Sequence, residues 1–345
     1  MLSLEFEMNE TEPGGRHPGP MLAELHTHVG AAVDPALLFT IAHDQGIKLP
    51  CKNYWDFADL VTAHPERVKT FEDYLDLFHW TELIQSSPEA MRNCVKSIIG
   101  GGYRHCNIDL IELRYCPMKR NRDGERDLDH IILASTHGMD RALLEYPDVR
   151  AGIILCADRS LDPAANDTIV QKAIKYQNYG VVGIDLAGPD VSSFGGVGRL
   201  EREFAQARAA GLGITVHTGE KGTVEEMWEV VERLKPTRIG HGLKAVQDDR
   251  LLATLAGREI TLEVCPTSNL RTGAIQDLDE LAAIFTRFHE FGVRYCINTD
   301  GPEMLHTDIV SERELLLSAG ILDQAQLAMA DAQARRAAFV PGTGS

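Results

Sequence analysis

Three histidines and an aspartate stand at the ends of short apolar segments, in positions that suit a metal ion. One segment ends His26-Thr27-His28, and residues i and i+2 of an extended strand point to the same face. Other segments end at His217 and at Asp300. Zinc takes imidazole nitrogens and carboxylate oxygens as ligands, and its catalytic sites leave one position for water. Each feature alone also fits a structural role, but jointly they predict one Zn²⁺ per chain.

A glutamate and a further histidine add groups that could transfer protons. Gly219 lets the backbone turn after His217, so that the carboxylate of Glu220 comes back towards the histidine. His241 stands between two glycines at the end of another segment. Taken singly, His241 could fill space and Asp300 could cap a helix. Together with the candidate ligands, these residues predict a metal site with its own acid and base.

Eight short segments rich in isoleucine, valine and leucine alternate with stretches of helical spacing, and this alternation predicts an α/β fold. The predicted strands are residues 22–26, 108–115, 150–156, 181–186, 213–217, 237–240, 260–264 and 293–298. They favour a (β/α)8 TIM barrel, whose active site lies at the carboxyl ends of the strands. A doubly wound sheet is the alternative, but no GxGxxG motif follows the first strand. No lysine ends the fourth strand, so a carbamylated lysine bridging two metal ions has no candidate there.

No linker divides the chain, so we predict a flexible N-terminus over residues 1–20 and a single domain over residues 21–345. The interval between His28 and Ile108 is too long for one helix and contains aromatic residues at 54–57 and 74–80. It predicts a helical insertion after the first strand. That insertion could form a lid over the barrel mouth or pack as a helical hairpin.

Composition narrows the possible partners. The sequence has 34 Lys and Arg against 51 Asp and Glu, a formal net charge of -17, which repels nucleic-acid phosphates and anionic membranes. It has no apolar run of about 18 residues that could span a bilayer. The first twenty residues do not form a signal peptide. We therefore expect a cytoplasmic protein that binds neither nucleic acid nor membrane, and no protein partner can be inferred.

Six ordered motifs resemble those of the adenosine deaminases: ELHTH, GIDLAGPD, HTGE, RIGHG, CPTSN and NTDGP. They occur in the order and at the spacing seen in that family, and the resemblance extends from about Leu22 to Pro341. The resemblance implies zinc-dependent hydrolytic deamination of adenosine, or of an adenosine-like 6-aminopurine nucleoside, to the inosine-type product and ammonia. The expected partner is thus a small purine nucleoside.

The resemblance also implies roles for individual residues. Glu220 matches the residue that protonates the purine ring at N1, and His241 matches the one that orients and deprotonates the attacking water. Gly188 matches the glycine whose backbone amide meets the purine N3. The positions that match metal ligands are His26, His28, His217 and Asp300.

Several further positions are candidates for substrate contact, and some of them also fit a structural role. The positions considered for substrate contact are His28, Gly188, Gly301 and Asp185. Asp185 could instead support a histidine of the zinc site or make an ordinary hydrogen bond at the strand end. Glu112 and Arg114 resemble a family segment and fit either an ion pair lining the barrel or a substrate contact.

Two departures from the family pattern concern the substrate. The first motif usually continues HxHLDGA, with an Asp that reaches the ribose 5′-hydroxyl, but this chain has Gly30 at the position of that Asp. The eighth-strand motif is usually Asp-Asp-Pro, with a second Asp that hydrogen-bonds N7, but this chain has Gly301. Either Glu303 or water replaces the second Asp, or the substrate differs.

These departures leave several functions open. Adenosine is the default substrate, and 6-aminodeoxyfutalosine, an adenine nucleoside with a 5′-linked benzoate, is the leading alternative. Methylthioadenosine-like nucleosides and free adenine follow. From other classes, the chain could be a catalytically inactive binding protein on the same fold, or a metal hydrolase of amides or phosphoesters, which would lack its bridging lysine.

Overall fold

The computed structural model describes residues 19–121, 126–189 and 195–342, and it shows a barrel of eight parallel strands. Each strand pairs with the next one along the chain, in the order β1 to β8. The strands are β1 (Leu22–His28), β2 (Ile108–Tyr115), β3 (Arg150–Asp158), β4 (Val181–Ala187), β5 (Gly213–Thr218), β6 (Arg238–His241), β7 (Thr261–Val264) and β8 (Arg294–Ile297). This sequential order is that of a TIM barrel and excludes a doubly wound sheet.

The barrel closes where the end of β1 meets the residues after β8. Thr27 forms a parallel bridge with Asp300. The amide of His28 donates to the carbonyl of Asp300 at 2.8 Å, and the amide of Asp300 donates to the carbonyl of His26 at 2.9 Å. Closure therefore places Asp300 against the two histidines of β1.

The eight strands predicted from the sequence are confirmed, and no strand boundary differs from its prediction by more than two residues. The predicted flexible segment falls mostly on residues 1–18, which lie outside the described residues. Within the described part of the chain, no helix has both the length and the apolar character needed to cross a membrane.

Helices follow the strands and cover the outside of the barrel. They are α1 (Pro35–Asp44), α2 (Tyr54–Leu60), α3 (Phe71–Ile84), α4 (Pro88–Cys106), α5 (Leu128–Glu145), α6 (Pro163–Lys175), α7 (Glu201–Ala209), α8 (Val224–Glu229), α9 (Asp249–Gly257), α10 (Pro266–Arg271), α11 (Leu278–Phe291), α12 (Pro302–Leu305), α13 (Ile309–Ser318) and α14 (Gln324–Ala337). Four of them, α1 to α4, lie between β1 and β2, which confirms the predicted helical insertion. A capping box of Thr70 and Asp73 starts α3.

The segment that follows α14 packs against the first residues of several strands. The ring of Phe339 lies over the buried guanidinium of Arg238, 3.6 Å from the ring centre. An added Cβ on Gly213, the first residue of β5, would lie 2.1–2.3 Å from carbons of that ring. A side chain at position 213 would therefore have to displace Phe339 from Arg238, which is itself held by ion pairs to Glu112 and Glu263.

We expect Gly213→Ala to lower the free energy of unfolding by about 1–3 kcal/mol, the usual cost of forcing extra carbon into a packed core. Urea denaturation followed by circular dichroism measures the loss. Gly257→Ala is the matched control, because a Cβ there meets no atom within 4 Å and α9 gains a better helix former. Equal stability of the two variants would contradict the proposed packing of Phe339.

Candidate active site

Three histidine side chains converge at the carboxyl ends of β1 and β5. One ligand atom from each of His26, His28 and His217 can be chosen so that all three lie within 4.8 Å of one another. The Nε2 atoms of His28 and His217 are 3.1 Å apart. Because His26 and His28 are two residues apart on one strand, both rings face the barrel axis, as the sequence predicts.

Asp300 completes this group from the end of β8. Its Oδ1 atom lies 3.4 Å from His28 Nε2 and 3.7 Å from His26 Nε2. Its backbone has a φ of +65°, a left-handed conformation that non-glycine residues seldom adopt outside functional sites. The structure thus brings together all four residues that the sequence suggests as ligands.

The donor set fits a zinc ion. The Nε2 atom of His26 is buried and has no hydrogen-bond partner among the described residues. A buried imidazole nitrogen left without a partner costs free energy unless something binds it. Three imidazoles and one carboxylate are the ligand types that zinc prefers, and they leave room for water.

Carboxylates fix the opposite edges of two of these rings. Glu263 on β7 accepts from His26 Nδ1 at 2.8 Å, and Asp185 on β4 accepts from His217 Nδ1 at 2.9 Å. Such partners orient metal-binding histidines and select the tautomer that leaves Nε2 free for the ion. Asp185 therefore contacts a histidine of the site and is absent from the cavity wall in the described part of the chain.

Arg114 lies beneath the histidines and joins these two carboxylates. Its guanidinium is fully buried and donates to Asp185 at 3.0 Å and to Glu263 at 2.9 Å. Burial alone would raise the pKa of each carboxylate, but the charges of His217 and Arg114 hold the pKa of Asp185 below its usual range, and Arg114 likewise lowers the pKa of Glu263. The two acids are thus kept ionised.

Burial has the opposite effect on the histidines. It lowers the pKa of His26 and His28 well below the usual range, and neighbouring cationic groups add to this. A neutral imidazole is the form that binds a metal ion. Burial thus favours neutral rings at His26 and His28, while the carboxylates of Asp185 and Glu263 remain hydrogen-bond acceptors.

Glu220 and His241 lie beside the histidine cluster. Their side chains approach to 3.5 Å, and Thr272 donates to the carboxylate of Glu220 at 2.8 Å. Gly219, with a φ of +73°, makes the turn that returns Glu220 to the cavity. Burial raises the pKa of Glu220 and lowers that of His241 to about 4, so burial favours the protonated acid and the neutral base.

Two residues of the CPTSN motif make hydrogen bonds to side chains of the site. The hydroxyl of Ser268 donates to Asp300 Oδ2 at 2.5 Å, and the side-chain amide of Asn269 lies 2.9 Å from His241 Nδ1. Neither residue is among those described as lining the cavity. They therefore position Asp300 and His241.

The cavity above the cluster has a volume of about 330 Å³, within the usual range for small-molecule sites. Gly188 contributes to its wall with a φ of +88°, and an added Cβ there would collide with the carboxylate of Asp158. Asp158 pairs with Lys119 at 2.6 Å. The described residues of the wall that bear on the chemistry are His28, Gly30, Tyr74, Phe78, Asp158, Gly188, His217, Glu220, His241 and Asp300.

Two interpretations considered from the sequence, a substrate contact at Gly301 and an ion pair between Glu112 and Arg114, differ from what the structure shows. Gly301 is buried and is not among the described residues of the cavity wall. Glu112 and Arg114 do not pair with each other, because Glu112 binds Arg238 at 2.7 Å whereas Arg114 binds Asp185 and Glu263.

Sequence reasoning missed Glu263, and it did not identify which residues of the insertion reach the cavity. The only signal for Glu263 was an acidic residue within the otherwise apolar strand TLEV. Tyr74 and Phe78 of α3 reach the cavity, one helical turn apart. The sequence places both residues in the aromatic section 74–80 of an insertion that could form a lid over the barrel mouth, but it does not decide between a lid and a helical hairpin. The insertion thus forms part of the cavity wall, and it also packs through Tyr74 against Met304 and Leu305.

Comparison with known proteins agrees with this arrangement. The sequence matches the adenosine deaminase family model over residues 21–345. An adenosine deaminase from Enterococcus faecalis is 32% identical over 289 residues, which are 84% of this chain and 83% of that protein.

Two solved structures share the fold. An adenine deaminase from Arthrobacter aurescens superposes with a TM-score of 0.81 at 22% identity and covers 94% of this chain and 95% of its own. An amidohydrolase from Burkholderia ambifaria, with bound Zn, gives a TM-score of 0.82 at 22% identity and covers 93% of this chain and 86% of its own. These two likenesses bear on the fold alone, whereas the family match extends through every motif of the site. The chain therefore belongs to the adenosine deaminase family and is a hydrolytic deaminase.

Proposed function

We propose that the protein is a zinc-dependent deaminase of adenosine or of an adenosine-like 6-aminopurine nucleoside, with one Zn²⁺ per chain. The observation that carries the proposal is the unpartnered Nε2 atom of His26, which faces His28, His217 and Asp300. Glu220 and His241 line the same cavity. Three of the proposed metal ligands, His28, His217 and Asp300, therefore line the same cavity as an acid and a base.

Different residues around the cavity perform different steps of the proposed reaction. His26, His28, His217 and Asp300 would hold the zinc ion, which would lower the pKa of a bound water to about 7 and so make that water nucleophilic at neutral pH. Protonated Glu220 donates to N1, which makes C6 more electrophilic. His241 accepts a proton from the water that attacks C6, and the amide of Gly188 binds N3. His241 then gives its proton to the leaving amino group, the C6–N bond breaks and ammonia departs, while the C6 hydroxyl returns a proton to Glu220 as the 6-oxo product forms.

A second substrate is favoured by the surroundings of Gly30. An added Cβ there would lie 2.8 Å from the ring of Phe78 and 3.3 Å from the guanidinium of Arg120. An aromatic ring thus fills the space that an acidic side chain would need, and it offers no acceptor to a 5′-hydroxyl. This supports an adenine nucleoside with an apolar or aromatic group at C5′, such as 6-aminodeoxyfutalosine, as the second candidate.

The first prediction concerns the metal. We expect the purified protein to bind one zinc ion per chain, and Asp185→Asn to weaken that binding about 10- to 100-fold, because His217 loses the carboxylate that orients it. Competition with a chromophoric chelator measures the affinity. Asp279→Asn, on the exposed face of α11, is the control and should leave it unchanged. Two tightly bound ions per chain would contradict the proposal.

The second prediction concerns the acid. Glu220→Gln should lower kcat about 10²–10⁴-fold, because the amide cannot deliver a proton to N1. Zinc content and thermal denaturation should stay as in the wild type, since the amide is similar in size and can still accept from Thr272. Glu225→Gln, on an exposed position of α8, is the matched control. An active Glu220→Gln enzyme would show that another group protonates the ring.

The third prediction concerns the substrate. Ammonia release should be measured with adenosine, deoxyadenosine, adenine, methylthioadenosine and 6-aminodeoxyfutalosine. If Phe78 covers the 5′ end, kcat/KM should be at least about tenfold higher for a 5′-capped nucleoside than for adenosine, since a buried hydroxyl without a partner is costly. A zinc-loaded protein that released no ammonia from any of the five would instead indicate an inactive binding protein.

A further inference from the structure

The space beside Gly301 is filled by a side chain from the insertion. An added Cβ on Gly301 would lie 2.7 Å from the hydroxyl oxygen of Tyr74 and 2.7 Å from the Cβ of Ala31. The backbone φ of Gly301 is -140°, which any residue can adopt, so the obstacle to a side chain is space alone. Tyr74 lines the cavity, whereas Gly301 does not. A phenol therefore stands where a side chain of residue 301 would project.

The hydroxyl of Tyr74 donates only a long hydrogen bond within the described part of the chain. Its nearest acceptor is Asp300 Oδ2 at 3.5 Å, the outer limit of a hydrogen bond. That oxygen already accepts from Ser268 at 2.5 Å. Tyr74 is buried, with 3% of its surface exposed, and it is one of the residues that line the cavity. A phenol stays protonated at neutral pH and can donate one hydrogen bond.

The proposed function fixes which edge of the purine faces Tyr74. C6 points to the metal ligands and N1 to Glu220, so the edge that carries N7 lies on the other side of C6. Glu220 follows β5, whereas Asp300 follows β8, three strands farther round the barrel. Tyr74 packs beside Asp300 on that far side. The N7 atom of an adenine ring only accepts hydrogen bonds, and it therefore matches the phenol donor.

We propose that Tyr74 is a substrate-binding residue that recognises purine N7, with its hydroxyl taking the place of the side chain that Gly301 lacks. This inference rests on the proposed function. Glu303, the sequence-based candidate for the same task, is exposed and is absent from the described cavity wall. Gly301 and Tyr74 form a steric pair, because a larger residue at 301 and a tyrosine at 74 would need the same space.

Two unreactive ligands test the proposal without requiring turnover. Inosine and 7-deazainosine differ only at position 7, where the second has a carbon in place of the acceptor. Calorimetry on the zinc-loaded protein should show the wild type binding inosine about 10- to 100-fold more tightly, the usual effect of one unsatisfied buried donor. Tyr74→Phe should bind the two ligands equally, because the variant has no hydroxyl to pair with N7 of inosine or to leave unsatisfied beside 7-deazainosine.

The control is Tyr295→Phe, which also loses a buried hydroxyl but at a site on β8 where it contacts His289. It should keep the wild-type preference for inosine. A similar preference in Tyr74→Phe and the wild type would overturn the proposal. So would a wild-type protein that binds both ligands equally, and that result needs no variant to fold. Ammonia release by the wild type tests the proposed function separately, since it does not depend on which group binds N7.

Discussion

The buried guanidinium of Arg114 is the interaction on which the site depends. It crosses from β2 to contact Asp185 on β4 and Glu263 on β7, and each of these acids holds the Nδ1 atom of one histidine. Without the cation, Glu263 would keep Arg238 and Asp185 would keep only the ring of His217 to offset the desolvation of their charges. With it, the two carboxylates stay charged, and its charge adds to the effect of burial in lowering the pKa of His26.

The second constraint is the barrel itself, because it brings the carboxyl ends of its strands together. A parallel barrel brings the last residues of all its strands to one rim, so ligands from β1, β5 and β8 meet although they are far apart in sequence. Two of the rim residues also have unusual backbone. His241 and Asp300 have left-handed φ angles of +62° and +65°. The hydrogen bonds from Asn269 and Ser268 hold these two side chains in place.

The sequence predicted the strands and the residues that now face one another, because both depend on short-range patterns. Apolar segments show where strands occur, and polar residues directly after them must share the rim. Glu263 could not be recognised as a site residue, because a single acid within a mostly apolar strand makes no distinctive sequence pattern. Its side chain faces His26 only because of the register that β7 adopts with its neighbours. For a related reason, the sequence could not decide whether the insertion that carries Tyr74 and Phe78 covers the barrel mouth. The path of α3 across the rim follows from packing with Ala31, Met304 and Leu305, residues distant from one another in the chain.

The proposed metal ligands and the two aromatic residues beside Gly30 and Gly301 therefore come from different parts of the fold. The strands supply the histidines, Asp300, Glu220 and His241. One face of α3 supplies Tyr74 and Phe78, next to the two glycines that replace acidic residues of the family pattern. A change in α3 can alter which nucleoside fits without disturbing the network under the histidines, because that network lies inside the barrel. This separation explains how the chain can keep the full set of ligands while both of its departures from the family fall on positions that α3 covers.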